Sequence, residues 1–187
     1  MRILRSKFVL FFLFFILISG ILFIYHKEIL KVIYPFHYQE VILEEARDND
    51  LDPYLIAAII YVESGFDPQA TSRKNAKGLM QIMPRTGSWI AEELGYDNFE
   101  REDLYKPKLN IKFGTWYLEQ MGKVFDYNLT VMLAAYNGGQ GNISNWIREG
   151  RWNGSETSIN DIPFPETRQY VKKVMLTYRR YKYIYTN

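Results

Sequence analysis

The sequence predicts an all-α domain behind a single N-terminal membrane-spanning helix. Three observations carry that expectation. Residues 8–25 form a run of 18 without a charge, rich in Phe, Leu and Ile, behind Arg2, Arg5 and Lys7. The rest of the chain reads as one stretch of helically spaced apolar residues after another, most opened by Pro or a capping residue and several closed by Gly. No stretch alternates apolar and polar residues convincingly enough for a half-buried strand.

The first segment is near the lower length limit for a helix that crosses a bilayer. A cleaved signal peptide is the alternative, but the apolar run is long for one and no Ala-x-Ala site follows. Residues 1–30 are therefore expected to be a retained anchor. Its basic end stays cytoplasmic by the positive-inside rule, so residues 31–187 form an extracytoplasmic domain. His26 to about Pro35 reads as a short membrane-proximal stretch. Residues 1–31 carry a net charge of +4 and the whole chain +2, which leaves −2 for the remainder. A domain with no basic excess argues against nucleic acid as its partner.

Composition places that remainder among globular proteins, with 48% apolar and 24% charged residues. At 17%, aromatic residues suffice for both a core and a ring-stacking cleft. There is no Cys, hence no disulfide frame, thiol nucleophile or Cys-ligated metal. The two histidines, His26 and His37, both lie near the N-terminal segment. A His-based zinc site or a Ser-His triad is thus not expected, nor is any metal or cofactor.

The elements follow in order. Tyr38 to Asn49 carries Val41, Ile42 and Ala46 at helical spacing. Pro53 to Ser64 opens on Asp52-Pro53, a cap followed by a residue suited to the first helical position. Phe66 to Lys77 is a polar loop. Pro84 opens a helix with Trp89, Ile90 and Leu94 apolar and Gly95 as its stop. Pro107 starts a longer one containing Ile111, Phe113, Trp116, Tyr117 and Leu118. Asn128 caps Leu129 to Tyr136, which Gly138-Gly139 ends. Ile143 to Glu149 is short. Pro165 starts the last helix, with Tyr170, Val171, Val174, Met175 and Tyr178 at helical spacing.

The Pro53 helix holds the chemistry. All eight residues from Leu55 to Val62 are apolar, so the helix is predicted to be buried on every side. Glu63 then falls in its last turn, before Gly65, which tolerates the left-handed conformation past a helix end. An apolar surround disfavours the charged carboxylate, and the negative end of the helix dipole adds to that. A Glu kept protonated near neutral pH is what a general acid needs. The competing reading is a Glu whose head reaches water as the helix surfaces. Four further places stand out: Ser64; Gly78-Leu79-Met80-Gln81; Ala135-Tyr136-Asn137; and Tyr170. Singly, each has a plain structural reading, with Met80 a core filler, Gln81 a surface amide, Asn137 a helix-end residue and Tyr170 a half-buried ring.

Taken together and in order, these residues resemble a family. Glu63-Ser64-Gly65-Phe66, Pro68, Ala70, Ser72, Gly78-Leu79-Met80-Gln81 and Met83-Pro84 look like the signature of the soluble lytic transglycosylase (SLT) family, relatives of goose-type lysozyme. The match continues through Asn110-Ile111, Gly114, Tyr117-Leu118, Ala134-Ala135-Tyr136-Asn137 and Gly141-Asn142. It ends with Phe164, Glu166-Thr167-Arg168 and Tyr170-Val171. Departures fall at Asn75, Lys106, Gly138 and Gln140. The resemblance implies a lysozyme-like α-helical domain that cleaves the MurNAc-β-1,4-GlcNAc bond of peptidoglycan strands and leaves 1,6-anhydro-MurNAc ends. It implies Glu63 as acid then base, with the 2-acetamido group of the substrate as the nucleophile. Ser64 and Tyr170 would orient the acid or the acetamido group, and Met80, Gln81, Tyr136 and Asn137 would line the sugar subsites. Two alternatives stand beside it: a hydrolase in which water attacks the same bond, and a non-catalytic glycan-binding scaffold. Asp67, the acid nearest to Glu63 in sequence, would favour the hydrolase if it faced the cleft. Partners beyond the glycan and the membrane, such as other cell-wall machinery, are not legible.

If residues 8–25 are the anchor, cell fractionation will find the protein in the membrane, with its C-terminal part exposed to protease added outside the cytoplasm. Release of a shortened protein lacking its N-terminus would make the run a signal peptide.

Overall fold

The computed structural model describes residues 2–186, with side chains from Phe11 onward. Two compact units are present, one ending at Phe36 and one spanning His37–Thr186. The first is a single helix, α1 (Arg2–Ile33). Its stretch Phe11–Ile33, 23 residues, is long and apolar enough to cross a membrane. At 1.5 Å per residue it spans about 35 Å, and its Phe, Leu and Ile side chains are exposed. The side chains of residues 8–10, part of the expected span, and of Arg2, Arg5 and Lys7 lie outside the described residues. The stretch after His26 is not the separate segment expected from the sequence, because the helix runs on to Ile33. Helical spacing explains this: Glu28 and Lys31 pair at 2.7 Å on one face, so the charges support the helix rather than end it.

The second unit is helical, with helices α2 (Gln39–Asp48), α3 (Pro53–Ser64), α4 (Pro84–Glu93), α5 (Pro107–Val124), α6 (Leu129–Gly138), α7 (Gln140–Arg148) and α8 (Pro165–Tyr185). Among the described residues, β structure is limited to the isolated bridges Thr71–Lys77 and Lys77–Ile82. Five helix starts have the chemistry expected. The Asp52 side chain accepts from the Tyr54 N–H and the Asn128 side chain from the Val131 N–H. Pro84, Pro107 and Pro165 open their helices. Two short 3-10 helices, Arg101–Tyr105 and Glu156–Asp161, were not expected. They are too short for an apolar period to reveal them, and the second is kinked at Ser158. Helix α7 begins three residues before Ile143, because Gly139, at φ 86°, turns the chain in one residue and lets Gln140 start the helix.

Helix α3 is the hub. It packs on α2 and, most extensively, on α8; α6 also packs on α8 and on α5 and α7. Leu55 to Ile60 are all buried; Tyr61 and Val62 are only half-buried, so the enclosure expected of all eight apolar residues stops short of the last turn, where the helix surfaces. A helix apolar all round finds no stable place except inside such a ring. The basic side chains of α8 are largely engaged: Arg168 donates to the Ile162 carbonyl, Arg179 pairs with Glu156, and Lys182 lies 3.4 Å from Asp52.

One buried polar residue ties the loop beside α3 to this scaffold. Asn110 of α5 is fully enclosed. Its side-chain oxygen accepts from the Met80 N–H at 2.7 Å, and its amide donates to the carbonyls of Lys77 (3.0 Å) and Leu104 (2.7 Å). The turn passes so close that a Cβ on Gly78 would come within 2.1 Å of the Leu104 carbonyl oxygen, and one on Gly114 within 2.4 Å of the Met80 sulfur. Asn110→Ala leaves one buried backbone N–H and two carbonyls without those partners. It should lower stability by about 2–4 kcal/mol, the usual cost of orphaned buried groups. Chemical denaturation beside wild type measures it; a change below about 1 kcal/mol would mean that the turn is held by packing alone.

Candidate active site

Glu63 stands at the C-terminal end of α3, where the buried helix opens into a cleft of about 640 Å3. Gly65 adopts the left-handed conformation expected of it (φ 60°), and Phe66 continues it (φ 67°), so the chain leaves the helix sharply. Glu63 itself lines the cleft with Ser72, Arg73, Lys74, Gln81 and Tyr136, among others. A smaller space of about 260 Å3 shares Gln81, Met83, Tyr136 and Asn137 with it and extends toward Thr86 and Tyr117.

Burial raises the Glu63 pKa to about 7. The Tyr170 hydroxyl counters part of that rise, and the negative charge of Glu166 adds to it. The Tyr170 hydroxyl is itself buried and has no partner within ordinary hydrogen-bond length. It therefore lies near the carboxyl without a tight bond to it, an arrangement common in unliganded sites that tighten around substrate. Burial also pushes the Tyr136 and Tyr170 hydroxyls well above their usual range, with the Glu63 charge second. Both remain protonated at any pH of interest.

The other expected site residues divide. Gln81 lines the cleft with a left-handed backbone (φ 49°), and its amide nitrogen donates to the carbonyls of Ala70 and Gly78. That leaves its amide oxygen as the pole available to a ligand. Tyr136 donates to the Met80 carbonyl at 2.8 Å, which fixes its ring on the cleft wall. The side-chain oxygen of Asn137 accepts from Thr167 at 2.9 Å, which turns its NH2 into the available donor. Gly138 permits this junction, since a Cβ there would lie 2.9 Å from the Thr167 hydroxyl. Ser64 and Met80 are placed differently from the expectation. The Ser64 hydroxyl sits 3.1 Å from the Ile60 carbonyl and 2.8 Å from that of Leu79, so it fastens the end of α3 to the turn rather than facing the acid. Met80 is fully buried against Gly114, and its backbone, not its thioether, meets Tyr136.

Asp67 does not line the cleft; its carboxylate caps the Gln69 N–H at 2.9 Å in its own loop. A second carboxylate is nevertheless present. Glu166 lines the cleft from α8 and pairs with Lys74 at 2.8 Å. Glu166 belongs to the matching run Glu166-Thr167-Arg168, but its pairing is not legible in sequence, since it and Lys74 are 92 residues apart. A carboxyl of pKa about 7, facing open space and tyrosine hydroxyls that stay protonated, is able to give a proton to a leaving oxygen and recover it afterwards.

Comparison with known proteins identifies the family. The family model described as "Transglycosylase SLT domain" matches residues 40–159. The soluble lytic murein transglycosylase of Salmonella typhimurium is 33% identical over 145 residues, covering 76% of this chain and 22% of that protein. The membrane-bound lytic murein transglycosylase C of Actinobacillus pleuropneumoniae is 31% identical over 169 residues, 79% of this chain and 46% of the relative. Among solved structures, the inactive glutamate-to-glutamine variant of the lytic transglycosylase Slt from Pseudomonas aeruginosa matches with a TM-score of 0.74 at 32% identity. The match covers 82% of this chain and 25% of that one. The chain thus spans less than half the length of each.

The raised Glu63 pKa has a sign that stability measurements can read. An acid whose folded pKa lies above its unfolded value binds more protons when folded, so stability falls as pH rises between the two. The window runs from the ordinary value of 4.5 to about 7. Glu63→Gln removes the ionisation. Its melting temperature should match wild type near pH 4.5 and exceed it above pH 7, by up to about 3 kcal/mol of stability. A constant difference across that range would place the Glu63 carboxyl in ordinary solvent.

Proposed function

The chain belongs to the transglycosylase SLT domain family, and from that premise we propose that it is a membrane-anchored lytic transglycosylase that cleaves the MurNAc-β-1,4-GlcNAc bond of peptidoglycan. The observation that carries the reading is a half-buried carboxyl, Glu63, that lines the cleft with its pKa raised by desolvation to about 7. Protonated Glu63 gives its proton to the bridging oxygen as the C1–O bond breaks. The 2-acetamido oxygen of the muramyl residue bonds to C1 as that bond breaks. The 6-hydroxyl then bonds to C1, displaces the acetamido oxygen and gives its proton to Glu63. Net, one C–O bond is broken and one formed, no water is consumed, and Glu63 ends as it began.

In this reading Gln81, Tyr136 and Asn137 contact the sugars through the poles left free by their backbone and Thr167 bonds. Tyr170 steadies the carboxyl. Ser64 and Met80 act behind the surface, by holding the turn that carries Gln81. Residues 1–30 would anchor the chain with a single pass and residues 31–187 would work outside the cytoplasm, a reading supported by the long apolar stretch of α1.

Hydrolysis of the same bond is the second reading, favoured by the presence of Glu166 in the cleft. Two-carboxylate glycosidases need a free second carboxylate to activate water or attack C1. Glu166 is paired with Lys74, but both side chains are mostly exposed; membership of the transglycosylase family is what favours the non-hydrolytic route. A scaffold that only binds glycan gains nothing from a carboxyl kept at the cost of burial.

Mass spectrometry of digested murein separates the two enzymes, because anhydro and reducing ends differ by one water. Anhydro ends are expected, and reducing ends would establish a hydrolase. Glu63→Gln should lower the rate by more than about a hundredfold with the fold intact. Near-normal turnover by that variant would remove Glu63 from the mechanism.

A further inference from the structure

The loop beside the acid is a pinned hairpin, and its tip carries two adjacent cations. Ser72 and Ala76 bond backbone to backbone at 3.0 Å, and the Asn75 N–H donates to the Ser72 carbonyl at 2.9 Å with Asn75 left-handed (φ 66°). Arg73 and Lys74 therefore occupy the two central positions of a tight turn. Tyr105 fastens the base of the hairpin. Lys77 donates to its hydroxyl at 3.0 Å, and the hydroxyl lies 2.7 Å from Thr71. The Lys77 ammonium also sits 4.4 Å from the centre of the Tyr105 ring. The two tip cations are thus held by a fixed backbone at the rim of the cleft that holds Glu63.

Their charges are not equivalent. Lys74 is paired with Glu166 across the cleft at 2.8 Å. Arg73, exposed and lining the same cleft, makes no ion pair or hydrogen bond among the described residues. A guanidinium presents donors in a planar fork that suits a carboxylate. Muramic acid differs from N-acetylglucosamine by a 3-O-lactyl group. Its carboxylate is free on a bare strand; on a substituted strand it is joined to a peptide that has carboxylates of its own. We propose that Arg73 is an anion-binding residue of the cleft that takes a carboxylate borne by the muramyl residue, so that the enzyme selects murein over uncharged chitin-type glycan. This rests on the murein-cleaving function proposed above and adds a specificity determinant to it.

The test is a binding titration with the full-length protein in detergent micelles, in a Glu63→Gln background so that no strand is cut. Three probes are used at low salt: a neutral chito-oligosaccharide, a peptide-free murein strand of equal length, and the same strand bearing its peptides. Arg73→Gln should weaken binding of carboxylate-bearing strands roughly five- to tenfold, the scale of an exposed charge-assisted contact. It should leave chito-oligosaccharide affinity unchanged. The loss should shrink as salt is raised, and Arg73→Lys should recover part of it. A loss already present on the peptide-free strand identifies the lactyl carboxylate, whereas a loss confined to the substituted strand identifies the peptide. Equal affinities of Arg73→Gln and its parent for both murein strands would overturn the proposal while leaving murein as substrate. Failure of the parent to bind any murein strand would instead overturn the function and this proposal together. A thermal melt of each variant guards against misfolding, and chito-oligosaccharide binding reports an intact cleft.

Discussion

A carboxyl group at the end of a helix that has no polar face sets the terms for the rest of this domain. Helix α3 is stable only when surrounded, and its packing against α2 and α8 supplies the surround. The same enclosure that satisfies Leu55 to Ile60 strips water from Glu63 one turn later. Two demands meet in one element: the helix must be buried to be stable, and its last turn must surface for Glu63 to line the cleft. Gly65 and Phe66 resolve them by turning the chain away within two residues, both left-handed.

Holding the opposite wall takes a second device. The segment Lys77–Ile82 folds back on itself, with its end residues bonded N–H to carbonyl in both directions. Its inner polar groups are taken up from three sides: Ser64 approaches the Leu79 carbonyl, Tyr136 donates to the Met80 carbonyl, and Asn110 accepts from the Met80 N–H. Each of these comes from a different helix, α3, α6 and α5. The turn is therefore a junction, and Gln81 points from it into the cleft on a backbone that has few ways to move. A buried turn needs such an accounting, because each backbone group left over would cost about as much as a lost hydrogen bond.

Much of this was legible in the chain. Asp52-Pro53 and Gly65 mark the ends of α3, the apolar run shows its burial, and the conjunction places Glu63 in an unfavourable place for charge. The helix starts at Pro84, Pro107, Asn128 and Pro165 were readable because caps and prolines act within a few residues. What could not be read is side-chain direction where two partners compete. Ser64 sits beside the acid in sequence, yet successive residues of a helix point about 100° apart, and its hydroxyl meets Leu79 instead. Met80 belongs to the motif because Gly114 leaves a hole its size, a fact that needs the partner helix to be seen. Glu166 and Lys74 meet across 92 residues of chain. Nothing local announces such a pair, whereas the two 3-10 turns escaped notice for the opposite reason, being too short to establish a period.

The electrostatics of the cleft form a chain with Glu63 at one end. Burial raises the Glu63 pKa first and the charge of Glu166 adds to it, with Lys74 2.8 Å from Glu166. The pair is mostly exposed, with side chains 73% and 69% accessible, so salt screens it and its own contribution to stability is small. Its value is positional. It brings the hairpin tip and α8 together across the cleft, with Lys74 beside the carboxylate whose charge adds to the rise of the Glu63 pKa.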